Sequence, residues 1–208
     1  MTNVLIVDSA ATGDLSVSRK LTAEFAEQVQ RRHPGARLVR RDVGRETIPH
    51  LTEATVSAIR GLPNTPAGEV TRGLSDQLIA ELMAADVIVI GAPMYNFGMA
   101  STLKTWFDHV LRAGTTFRYT AAGPEGLVKG KRAIVIETRA GLYSEGPAAA
   151  MDHQEPHIRT LLGFMGITDV SYVRAEKLAF GPEAASQAVA EAIARLDDLA
   201  ASELALAA

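Results

Sequence analysis

The chain has 208 residues, 47% of them hydrophobic, which is enough for one substantial core and gives no sign of disorder. Its 21 basic and 24 acidic residues leave a net charge of -3, which offers no electrostatic footprint for nucleic acid or for an anionic membrane surface. It has no cysteine, so disulfides, thiolate metal sites, iron–sulfur clusters and thiol nucleophiles are excluded together.

We expect residues 1–208 to form one domain. The N-terminus enters a strand-like run at once, with no basic region, long apolar stretch or small-residue cleavage site of an export signal. The longest apolar runs, such as 87–94, are far too short to cross a bilayer, so a soluble, cytoplasmic protein is expected.

Residues 3–8 read as a central parallel strand, apolar without alternation, followed by a small polar loop at 9–15. A helix starts at Ser16, carries Leu21, Phe25 and Val29 at four-residue spacing, and stops at His33-Pro34-Gly35. Residues 36–42 form a more polar strand nearer the sheet edge. A connection punctuated by Pro49, Pro63 and Pro66 follows, with helical patterns near 52–60 and 69–83.

A buried strand over 87–90 is expected to end at Gly91-Ala92-Pro93, where a turn leads into a helix with Ser101 or Thr102 as its N-cap. Another buried strand covers 131–138, between loops at 123–126 and 139–147. A helix over 157–164 cannot begin much before Pro156 and breaks at Gly166. Residues 170–175 make a fifth strand. From Pro182 an alanine-rich amphipathic helix runs through Ile193, Leu196 and Leu199, and the tail after Ala200 is free to fray.

Strands alternate with helices, so the chain reads as α/β: a flavodoxin-like three-layer α/β/α sandwich around a five-stranded parallel sheet of order 2-1-3-4-5. In that order the connections leaving the first and third strands diverge to opposite faces and open a crevice where ligands bind. Loops 9–18 and 92–101 lie there, and loop 139–147 borders it.

The first loop carries hydroxyls on Ser9, Thr12, Ser16 and Ser18 beside a helix N-terminus, a donor-rich setting for phosphate. Helix capping by Ser16 or Ser18 accounts for those residues equally well. There is no lysine and no Walker pattern, so no nucleoside triphosphate is implied. In the second loop, Met94-Tyr95-Asn96-Phe97 can hold a flat ring system while amides of the turn bond its edge. The other reading makes Tyr95 and Phe97 core or interface aromatics, and the convergence of two loops at one crevice weighs against it.

Three features are set aside. His153 and His157 stand four apart, but Pro156 interrupts them and no third metal ligand is evident. Ser101-Thr102-Leu103-Lys104 mimics the Ser-x-x-Lys of acylating hydrolases without its companion motifs. His109 reads as a packed or surface residue rather than a proton donor.

Four stretches carry a resemblance: Pro93-Met94-Tyr95-Asn96-Phe97, the run 112–120 from Arg112 to Thr120, 123–127 (Gly-Pro-Glu-Gly-Leu) and 164–170 (Phe-Met-Gly-Ile-Thr-Asp-Val). Together they resemble the FMN-dependent NADH-azoreductases, a branch of the flavodoxin-like quinone reductases. The resemblance implies a homodimer with one FMN per subunit, sites built by both subunits, and ping-pong reduction of quinones and aromatic azo compounds by NADH or NADPH.

It also implies site residues. Ser9, Ser16 and Ser18, with the amide of Val17, match the phosphate loop. Pro93, Met94, Tyr95, Asn96 and Phe97 match the isoalloxazine loop. Thr138, Arg139, Ala140 and Gly141 stand where the family usually has Ser-Arg-Gly-Gly against the polar edge of the ring. Arg60, Asn96, Phe117, Tyr119 and Phe164 match the substrate side, Phe164 from the other subunit. The family carries out its chemistry on the flavin, so no catalytic side chain and no metal are implied. Two competing classes are a non-enzymatic flavodoxin-like electron carrier, for which a net charge of -3 is mild, and a cofactor-free binding module.

Overall fold

The computed structural model describes residues 2–60 and 65–202. Pro63 of the proline-punctuated connection and the end of the alanine-rich tail lie outside those residues. The central strands are β1 (Asn3–Asp8), β3 (Val87–Tyr95) and β7 (Arg132–Thr138), flanked by β2 (Arg37–Asp42) and β8 (Asp169–Ala175). The parallel order is β2-β1-β3-β7-β8, which in the five-strand count is the expected 2-1-3-4-5.

Burial explains the order. β1, β3 and β7 are almost wholly buried, as their unbroken apolar runs require, whereas β2, with arginines at 37, 40 and 41, is only partly covered at the edge. Successive residues face opposite layers. Val4, Ile6, Val87, Val89, Ile134 and Ile136 pack with Leu21, Phe25 and Val29 of α1 (Val17–Arg32) and Leu196 and Leu199 of α6 (Pro182–Ser202). Leu5, Val7, Ile88, Ile90 and Val135 face α3 (Pro66–Ala84), α4 (Ser101–Val110) and α5 (Glu155–Met165). Trp106 and Phe107 of α4 are fully buried in this second layer, where truncating either to alanine costs about 3–5 kcal/mol. Among the described residues no helix is long and apolar enough to cross a membrane.

Several expectations are corrected. β3 does not stop at Gly91-Ala92-Pro93; it pairs with β7 as far as Pro93 with Thr138 and runs on to Tyr95. Its pairing with β1 ends at Asp8 with Gly91, so at Pro93 one flank is free and a residue without an N–H is accommodated. The strand then turns back as β4 (Gly98–Met99), with Tyr95 opposite Gly98.

The N-cap of α4 is Ala100, with no side-chain capping bond, rather than Ser101 or Thr102. Thr102 spends its hydroxyl on the carbonyl of Ser9 at 2.6 Å instead. The 123–126 segment is β6 (Gly123–Gly126), paired antiparallel with β5 (Phe117–Thr120), rather than a loop. The helix expected near 52–60 is confined to α2 (Val56–Arg60), because the Thr55 hydroxyl accepts from the Thr52 amide and holds the preceding residues in a turn.

Candidate functional site

The crevice at the carboxyl ends of β1, β3 and β7 is assembled from three loops. Ser9 knots them together: its side chain is fully buried, its hydroxyl donates to the Gly91 carbonyl at 2.6 Å, and its own carbonyl receives Thr102. Its hydroxyl proton is committed to Gly91, so the Ser9 side chain shapes the crevice from behind. Ser16 is the N-cap of α1, accepting from the Arg19 amide at 3.2 Å, and its hydroxyl lies 3.0 Å from that of Ser18. The capping reading therefore holds for Ser16, and Ser18 is joined to it through the hydroxyl pair. Val17 and Ser18, the first two helical residues, keep amides with no intrahelical acceptor, aimed where the helix dipole favours an anion.

Arg19 organises this loop, and sequence reasoning passed over it. Its Nε donates to the Gly13 carbonyl at 3.2 Å, its Nη2 to the Ala10 carbonyl at 3.2 Å and to Asp42 at 2.9 Å, and its Nη1 also pairs with Asp42. The signal was present in its three-residue spacing from Thr22 on the buried stripe of α1, a polar pair where an apolar one is usual. With Arg19 turned inward, the donors left in the loop are amides and hydroxyls. Burial pushes the Asp8 carboxyl at the end of β1 above its ordinary range, against the bonds it accepts from Thr22 at 2.6 Å and Arg40 at 2.8 Å.

The β3–β4 hairpin forms the second wall. Its two-residue turn holds Asn96 and Phe97 at φ 48° and 69°, both left-handed and both without glycine. For phenylalanine such a backbone costs about 1–2 kcal/mol, and strain of that kind collects at ligand sites. The surroundings maintain it: the His153 amide donates to the Phe97 carbonyl at 3.0 Å, and the Phe97 ring meets Tyr143 edge to face with centroids 6.1 Å apart. Asn96 and Phe97 are exposed, Phe97 by 44%. Pro93 is buried, while Met94 and Tyr95 are half-buried.

The third wall follows β7. Ala140 has no left-handed backbone, so an alanine in place of glycine is accommodated. The amides of Ala140 and Gly141 bond to nothing among the described residues, whereas their carbonyls receive Ala179 and Lys177. The Thr138 hydroxyl is likewise without a protein partner. Arg139 departs from its expected place at the ring edge: its side chain is fully buried, bonded to Gln154, Glu176 and Glu137, and its amide is taken by the Ala175 carbonyl. A cation in a loop reads as a ligand contact; of the acids that draw it inward only Glu137 is a near neighbour in sequence, and Asp152 and Glu176 come from elsewhere in the chain. Gln154 continues the tie to β3 by donating to the Ala92 carbonyl at 2.8 Å.

Of the five residues expected on the substrate side, Asn96 stays in the hairpin turn and the other four gather elsewhere. Arg60, Phe117, Tyr119 and Phe164 line one cavity of about 510 Å³, together with Ile59, Asp108 and Leu111. Phe117 touches Phe164 at 4.6 Å between centroids and Tyr119 at 5.6 Å, forming a continuous aromatic wall on which Tyr119 is 74% exposed. No residue of the three crevice loops lines that cavity. α4 leaves the hairpin at Ser101, and Asp108 and Leu111 lie near its far end, a separation of roughly 15 Å for a helix of this length. His109 is packed as expected: it is fully buried, with Nε2 3.0 Å from the Pro49 carbonyl, and burial lowers its pKa.

The profile of a family described as having a flavodoxin-like fold matches residues 2–200. The FMN-dependent NADH:quinone oxidoreductase of Hyphomonas neptunium is 54% identical over 189 residues, covering 91% of each chain. That of Ralstonia nicotianae is 49% identical over 94% of this chain and 96% of its own. The chain belongs to this family.

Among solved structures, azoreductase from Bacillus anthracis strain Sterne superposes with a TM-score of 0.85 at 29% identity, over 96% of this chain and 99% of the other. An FMN-dependent NADH-azoreductase from the Ames Ancestor strain, in complex with FMN, has a TM-score of 0.87 at 23% identity, over 97% and 98%, and shares the fold.

Proposed function

We propose that this chain is an FMN-dependent oxidoreductase that takes electrons from NADH and reduces quinones, and aromatic azo compounds as further acceptors, working in the cytoplasm as a homodimer. The observation that carries the cofactor assignment is the Asn96–Phe97 turn, a left-handed pair maintained at a cost and left exposed. When bound, FMN would supply two-electron hydride chemistry between the nicotinamide and the acceptor.

The protein's part is to bind, orient and exclude. Amides of Val17 and Ser18, with the hydroxyls of Ser16 and Ser18, hold the phosphate on the α1 dipole. Pro93, Met94, Tyr95, Asn96 and Phe97 flank the ring system, and Ser9 sets the spacing between the two loops by its bond to Gly91. The amides of Ala140 and Gly141, with the Thr138 hydroxyl, face the ring's polar edge, where fixed donors stabilise negative charge without reorganising. Arg139 holds that loop from behind.

The separation between the crevice and the aromatic wall favours the homodimer. Arg60, Phe117, Tyr119 and Phe164 line a cavity that shares no residue with their own chain's crevice loops, and a two-fold partner can lay such a wall over the crevice. Asn96 then belongs to both the ring cradle and the acceptor pocket.

Purified protein tests this reading directly. It should be yellow or become yellow with added FMN, elute as a dimer, and oxidise NADH with benzoquinone or an azo dye as sole acceptor. A protein that binds FMN but turns over only with a second protein is an electron carrier, and one that never binds FMN overturns the assignment.

A further inference from the structure

Behind the ring-edge loop lies a buried cluster of charge. Glu137, near the end of β7, is fully buried; its Oε2 accepts from Arg139 Nη2 at 2.8 Å and lies 3.6 Å from Arg174 Nε, while its Oε1 is buried with no partner among the described residues. Arg139 spreads over three segments: Nε donates to Gln154 at 2.9 Å, Nη1 to Glu176 at 3.1 Å, and Nη2 also faces Asp152 at 3.0 Å and Glu155 at 3.9 Å. Glu155 is held in turn by Arg159 at 2.7 Å and Arg174 at 2.6 Å. Tyr172 of β8 lies under both of those arginines, 4.5 Å and 5.8 Å from its ring centre.

Four carboxyls, on Glu137, Asp152, Glu155 and Glu176, thus face three guanidinium groups, on Arg139, Arg159 and Arg174. One negative charge is left over if all are ionised, and it is costliest where burial is deepest and an oxygen has no donor. Burial also opposes ionisation of Glu155 and Glu176, but it is outweighed by Arg159 and Arg174 at the first and by Ser144, Tyr143 and Arg139 at the second, so both stay below the usual range. Glu137 goes the other way: burial, against the pull of Arg139, pushes it up to about 8.

The cluster reaches the site through one carboxylate. Glu176 accepts the amides of Tyr143 at 2.8 Å and Ser144 at 3.1 Å, the Ser144 hydroxyl at 2.5 Å, and Arg139. Gly141 lies so close to Tyr143 that a methyl group on it would stand 2.9 Å from the ring.

We propose that Glu137 is a proton-holding positioning residue, whose neutral carboxyl lets Arg139 and Glu176 clamp loop 138–144 in the shape that receives the polar edge of FMN, and whose ionisation loosens that clamp. This rests on the FMN reading above. An ionised Glu137 competes with Asp152 for the same Nη2, repels Glu155, and draws Arg139 away from Glu176, which releases the Tyr143 and Ser144 end of the loop.

The sign follows from linkage. The folded protein holds a proton on Glu137 that the unfolded chain loses near 4.5, so this contribution to stability falls as pH rises from there to about 8 and is flat beyond. FMN affinity follows the folded protein's own titration instead, so it should hold below about pH 8 and fall above it.

The experiment measures the FMN dissociation constant by flavin fluorescence from about pH 6 to about pH 9.5, alongside thermal unfolding of the apoprotein, for wild type, Glu137→Gln and Glu176→Gln. The expected result is an alkaline loss of affinity of about tenfold in wild type, a flat profile in Glu137→Gln, and weak binding at every pH in Glu176→Gln. An equal alkaline limb in Glu137→Gln overturns the proposal. If Glu137→Gln does not fold, carboxyl NMR of the wild-type apoprotein decides: a glutamate titrating near pH 8 supports it, and none above about pH 6 overturns it. A protein that takes up no FMN at any pH overturns the functional reading instead, and the apoprotein titration still tests Glu137.

Discussion

The phenolic oxygen of Tyr95 accepts a hydrogen bond from the amide of Ala11 at 3.1 Å, joining residues 84 apart in the chain. Tyr95 closes β3 and Ala11 lies in the loop after β1, so this contact fixes the distance between the two loops proposed above to hold the ring system and the phosphate of FMN. A cofactor that occupies both gains most from that spacing when it is set before binding.

Replacing Tyr95 with phenylalanine removes the bond and little else. Because the bond is exposed, its loss is worth about 0.5–1.5 kcal/mol, which corresponds to FMN binding weakened about twofold to tenfold. Fluorescence titration with FMN measures it, and an unchanged dissociation constant would mean the contact is idle.

Arg19→Lys should affect the same loop from beneath, because an ammonium cannot reproduce the guanidinium fork that spans the Gly13 and Ala10 carbonyls and Asp42. Burial works to raise the Asp42 carboxyl, but the Arg19 bond and charge and the Arg45 amide outweigh it and hold it below the ordinary 3.8. Its contribution is therefore present above pH 3.8 and is lost as pH falls through the depressed folded value. The variant should unfold at a higher pH on acid titration than wild type and bind FMN about tenfold more weakly at neutral pH.

Phe97→Asn separates strain from contact. Asparagine tolerates the left-handed backbone that Phe97 occupies at φ 69°, so the apoprotein should keep its Tm within about 4 °C or gain slightly. The aromatic face is lost, and FMN binding should weaken by about tenfold or more. A variant that melts early and still binds FMN fully would show that Phe97 serves packing alone.

The sheet order was legible because unbroken apolar runs mark central strands and a run with three arginines marks an edge, and both signals are local. The β3–β4 hairpin was not, because its turn has none of the Asn-Gly or Asp-Gly chemistry that announces such a turn; tertiary bonds such as His153 to Phe97 impose it. β6 was hidden for the same reason, since Gly-Pro-Glu-Gly has no strand propensity and gains order only by pairing with β5 against the end of α5. Arg139 was read toward the ring and Glu176 not read at all, because apart from Glu137 the partners of both lie more than ten residues away along the chain, Gln154 15 and Glu176 37 from Arg139.

Gly126→Ala probes the aromatic wall alone. A methyl group there would stand 2.2 Å from the Gly166 amide nitrogen, backbone against backbone, so the β5–β6 hairpin must move relative to α5. Phe117 rides on that hairpin and Phe164 on that helix. The acceptor's kcat/KM should fall about tenfold to a hundredfold while FMN affinity stays within about twofold, as a displacement near 1 Å would give.

The separation of crevice and wall makes a prediction that only shared sites satisfy. Phe97→Asn damages a cradle and leaves its own chain's wall intact; Phe164→Ala damages a wall and leaves its own cradle intact. Coexpressed in equal amounts, the two variants pair randomly, and half of the dimers are mixed. Each mixed dimer joins the intact cradle of one chain to the intact wall of the other at one site, and both damaged parts meet at the second. The mixture should therefore recover about a quarter of wild-type NADH:quinone activity, although each variant alone is weak. If each chain completed its own site, every site would carry one defect and mixing would restore nothing.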